Sequence, residues 1–71
     1  MKRTEYNFTG TNDYKAIITV TGQSAMLTII NNNGEKIKNC IPYKSLQGAK
    51  LSLKAIGNHY NVEWKEVNSN G

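Results

Sequence analysis

The stretch YKAIITVTGQSAMLTII (14–30) constrains this chain more than any other. Two β-branched segments flank Gly22–Gln23, which has the length and chemistry of a two-residue hairpin loop. Closing a hairpin there sets Thr21 opposite Ser24, Val20 opposite Ala25 and Ile18 opposite Leu27. Side chains alternate across a strand, so one face collects Tyr14, Ala16, Ile18, Val20, Ala25, Leu27 and Ile29. That is a core face. The other face carries Ile17, Thr19, Met26, Thr28 and Ile30, where clean alternation would place polar residues.

The hydrophobic pattern extends the sheet in both directions. A three-residue loop, Asn32–Asn33–Gly34 with glycine left-handed, places Ile37 beside Ile29 on the core face. A two-residue loop would place Lys38 there, and a one-residue slip exchanges faces, so hydrophobic matching selects the longer loop. A first strand around TEYNF adds Tyr6 and Phe8. AKLSLKAI (49–56) and HYNVEWKEV (59–67) alternate on either side of Gly57–Asn58 and read as a last hairpin with Leu51, Leu53, Ala55, Tyr60, Val62 and Trp64 inside. PYKSLQG (42–48) breaks the pattern. The expected fold is therefore all-β. It is a five- to six-stranded antiparallel meander, closed as a small barrel or strongly curved, with at most one short helical turn near 42–48.

Seventy-one residues make one domain, 1–71, with the polar NSNG tail (68–71) expected to fray. A core of this size is marginal. One cysteine and one histidine supply neither an internal disulfide nor a four-ligand zinc site, so no metal or cofactor is expected and self-association becomes the natural support. No apolar run is long enough for a membrane helix, and MKRTEYNFTG lacks a signal-peptide core. The expected setting is the cytoplasm, with no membrane partner. Ten asparagines and eight lysines beside a single arginine point to an A/T-rich genome, such as that of a phage or mobile element.

Few residues qualify for chemistry. Cys40 and His59 form the sole thiol–base pair, His59 has no evident orienting acid, and the acids are scattered, so no catalytic residue is expected. Binding is the better reading. In the last hairpin Lys50 would face Lys65 directly, with Lys54 four residues further along on the same outer face, an opposition that sheets avoid without cause. With Lys44 and Tyr43 from the corner, these lysines would form a basic strip suited to phosphates. The net charge of +4 agrees in sign.

The leading expectation is a non-enzymatic module binding single-stranded nucleic acid with little sequence selectivity, since one arginine is poor equipment for base readout. The alternative is a protein-binding module, such as a phage or mobile-element inhibitor or accessory protein, acting through the apolar face of Ile17, Met26 and Ile30, which is also the expected homodimer face. The basic charge by itself favours nucleic acid or an acidic protein surface as partner.

Overall fold

The computed structural model describes residues 3–67; the tail expected to fray lies outside the described residues. Five strands run antiparallel in one sheet: β1 (Arg3–Gly10), β2 (Lys15–Thr21), β3 (Ser24–Ile30), β4 (Lys36–Tyr43) and β5 (Trp64–Glu66). Their order is β4-β3-β2-β1-β5, and the last strand returns to lie beside the first. The sheet does not close, so the expected barrel is not formed. Between β4 and β5 runs one helix, α1 (Leu46–Tyr60), which lies over one face of the sheet.

The central hairpin pairs as its sequence requires, with Ile18 opposite Leu27 and Val20 opposite Ala25. Gly22 takes a positive φ of 63° at the first loop position, a conformation that costs glycine little. Asn31 and Glu35 close the three-residue loop before β4, and Gly34 is left-handed there at φ 81°. Asn31 Oδ1 accepts from the amides of Asn33 and Glu35, both at 2.9 Å, which fixes the turn. Strand β4 is then irregular twice. Lys38, not the expected Ile37, pairs with Ile29, because Ile37 is the extra residue of one bulge, though it still packs against the core. Asn39 and Cys40 together oppose Thr28 in a second bulge, at which Cys40 adopts φ 52°. Pro42 is tolerated because β4 is an edge strand.

The expected last hairpin is absent, and this is the main correction. Residues 46–60 form a helix of 15 residues, not a short turn followed by two strands. Ser45 caps its start by accepting from the Gly48 amide at 3.1 Å. Asn61 ends it in the left-handed conformation, with the Val62 amide on the Gly57 carbonyl at 2.7 Å. The inward stripe is Leu46, Ala49, Leu53, Ile56 and Gly57, a helical spacing. Leu51, assigned to the core by the strand reading, is instead 63% exposed, and Ala55 is exposed as well.

The core forms between the sheet and α1. Ile18, Leu27 and Ile29 are completely buried, each worth about 1.5–3 kcal/mol on removal from water. Phe8, Ala16, Ala25, Ala49 and Leu53 complete the cluster. Two polar contacts fasten the helix to the sheet edges. Tyr43 Oη and Ser52 Oγ share a hydrogen bond on the β4 side. On the β5 side, Trp64 Nε1 donates to the Leu53 carbonyl at 3.0 Å.

Candidate functional site

One helix covers one face of the sheet, and among the described residues nothing covers the other. The register defines that open face row by row, because directly paired residues share a face. Met26 is 44% exposed there, beside Thr19 and Pro42. Ile17 lies opposite Thr28, and Ile30 lies opposite Lys15; both isoleucines are half-buried. The three residues expected to form an interface, Ile17, Met26 and Ile30, are thus brought together on adjacent central strands.

The expected basic strip is not assembled. Lys50 and Lys54 lie one turn apart on α1, both exposed. The Lys50 ammonium is 3.6 Å from Glu66 Oε1 and 5.6 Å from the centre of the Tyr6 ring. Lys65 pairs with Thr9 on the opposite side of the sheet, so the predicted Lys50–Lys65 opposition does not exist. Lys44 is exposed in the turn before α1. Tyr43 is half-buried with its hydroxyl held by Ser52, so its ring supports the helix and is not displayed for stacking.

A different set of lysines shares one row. Following the pairing across the sheet, Lys36 lies opposite Ile30, Ile30 opposite Lys15, Lys15 opposite Thr9, and Thr9 opposite Lys65. This row crosses all five strands on the open face with a lysine on every second one. Strands are about 4.8 Å apart, so successive lysines start about 10 Å apart. Lys15 and Lys36 were within reach of sequence reasoning, because the Gly22–Gln23 hairpin and the three-residue loop already align both with Ile30. Lys65 was hidden by the wrong partner for its strand.

A groove of about 540 Å³ opens between α1 and β5, walled by Phe8, Leu53, Val62 and Trp64 with Lys50 and Glu66 at its sides. Its charged groups include one ion pair at the surface, the Lys50–Glu66 contact, and surface pairs contribute little. Cys40 lies at the β4 bulge, its amide donating to Thr28 Oγ1 at 3.1 Å on the open face. His59 is in the last turn of the helix against Tyr60, on the other side of the sheet. The thiol and the imidazole therefore do not form a catalytic pair. Among the described residues no cluster of three His, Cys, Asp or Glu side chains could hold a metal, and no helix is long and apolar enough to cross a membrane.

Compared with family models, curated proteins and solved structures, the chain finds no match.

Proposed function

We propose that this protein is a non-catalytic binding module that docks a protein partner on the open face of its sheet. The observation that carries this reading is the shared placement of Ile17, Met26 and Ile30 on a face that α1 does not cover. Apolar side chains displayed together on a small protein are the usual mark of an interface. Thr19 lies opposite Met26 and Thr28 opposite Ile17 within the same patch, and the Thr28 hydroxyl is occupied by the Cys40 amide and so adds no free polar group to it.

The placement of the aromatic residues weighs against the single-strand nucleic-acid reading. Tyr6, Phe8, Tyr14, Tyr43, Tyr60 and Trp64 are the chain's only aromatics, and all lie on the helix side of the sheet. Sequence-tolerant strand binding needs ring faces beside its cations, and the open face has none.

Selection of a randomised displayed-peptide library against the protein tests this reading. Enriched peptides should bind the wild type and lose at least roughly tenfold in affinity on Met26→Lys, which places a charge in the centre of the patch. Leu51→Lys, on the outward side of α1, should leave them unaffected. Peptides that ignore Met26→Lys and respond to substitutions lining the α1–β5 groove would overturn it.

A further inference from the structure

Charge on the open face narrows the choice of partner. Besides the Lys36–Lys15–Lys65 row, this face carries Arg3 and Glu5, which are hydrogen-bonded to each other at 3.0 Å. The ion pairs among the described residues are Arg3–Glu5 and Lys50–Glu66, so neither engages a lysine of the row. Asp13, Glu35 and Glu63 lie in the turns beyond the row, and Glu35 Oε1 accepts from the Asn31 amide group at 3.4 Å. The face is therefore an apolar centre bordered along one end by three cations, spaced far enough apart that each can take its own anion.

From this we infer that the open face takes a partner protein whose docking surface is acidic, with carboxylates set to meet Lys36, Lys15 and Lys65 around an apolar contact with Ile17, Met26 and Ile30. The inference rests on the docking reading above and adds the chemistry of the occupant. A second copy of the chain is the poorer occupant. A face-to-face dimer has its two-fold axis in the plane of the interface, and the limiting directions are along and across the strands. Along the strands, the lysine row meets its own copy; across them, it meets the Arg3 end of the partner face. The first arrangement sets three cations against three, and the second offers the lysines only a carboxylate already held by Arg3, whereas an acidic partner converts the same charges into steering and specificity. Nucleic acid would supply anions as well, but the face offers no ring for its bases.

Binding of labelled poly-L-glutamate and of single-stranded oligothymidylate, each at low and high salt, tests the inference. Two triple variants carry the same loss of charge: Lys15→Gln/Lys36→Gln/Lys65→Gln on the open face, and Lys44→Gln/Lys50→Gln/Lys54→Gln on the helix side. All six positions are exposed, and circular dichroism checks that both variants fold. The expected result is polyglutamate binding that weakens with salt, falls at least roughly tenfold in the open-face variant and changes little in the helix-side variant. Equal losses in both variants, or no polyglutamate binding at low salt, would overturn it. Tighter binding of oligothymidylate than of polyglutamate through the same lysines would overturn it too, in favour of a nucleic-acid partner. These failures are separable from failure of the docking reading, because displayed peptides that lose affinity on Met26→Lys but not in the open-face lysine variant keep the docking face and remove only its acidic occupant.

Discussion

The indole of Trp64 rests on the backbone of α1 where Gly57 has no side chain. A Cβ placed on Gly57 would lie 2.5 Å from Trp64 Nε1 and 2.6 Å from the Val62 carbonyl oxygen. The same indole donates to the Leu53 carbonyl, so one glycine allows β5 to be fastened to the helix.

Gly57→Ala should therefore destabilise the protein although alanine is the better helix former. Overpacking a close contact costs about 1–3 kcal/mol, which exceeds the helix-propensity gain of up to about 1 kcal/mol. Gly48→Ala is the control: its added Cβ would meet Ser45 Oγ at an ordinary 3.5 Å. It should stabilise by about 0.5–1 kcal/mol. Urea denaturation of the pair should give opposite signs, and two changes of the same sign would contradict the packing described.

Tyr43→Phe removes the hydroxyl that joins β4 to α1 through Ser52. The expected loss is about 0.5–1.5 kcal/mol, with the ring still packed against the core. Adding Ser52→Ala to Tyr43→Phe should cost little more, because the two hydroxyls serve each other. Fully additive losses in a double-mutant cycle would show that the bond contributes nothing.

Cys40 occupies a left-handed position in the bulge, so substitutions there should follow backbone preference and not thiol chemistry. Cys40→Asn should be tolerated, since asparagine enters this region readily, while β-branched Cys40→Val should cost about 1–2 kcal/mol. Urea denaturation of the two variants checks this. A Cys40→Val protein as stable as Cys40→Asn would contradict the backbone account.

The sheet was legible where period-2 patterning and turn chemistry agreed. Ile18, Leu27 and Ile29 were assigned to the core and are its most deeply buried large residues, and Gly34 marked the left-handed corner of the second loop. The helix was hidden by a coincidence of patterns. Leu51, Leu53 and Ala55 alternate like a strand, while Leu46, Ala49, Leu53, Ile56 and Gly57 in the same segment repeat like a helix. Gly48 and Gly57 lower helix propensity and favoured the strand reading. Their tolerance has tertiary and capping causes that a local pattern does not contain: the Ser45 cap and the seat of Trp64. Because the candidate interface residues Ile17, Met26 and Ile30 lie within the well-read hairpin, their common face was recovered. The Lys50–Lys65 strip depended on the misread segment and was not.

Methyl NMR on the protein bound to a peptide selected from the displayed library tests the central claim most directly. The account predicts that the methyl signals of Ile17, Met26 and Ile30 shift on titration, while those of Leu51 and Leu53 on α1 stay in place. Shifts confined to α1 and the β5 groove, with the three open-face methyls unchanged, would contradict it.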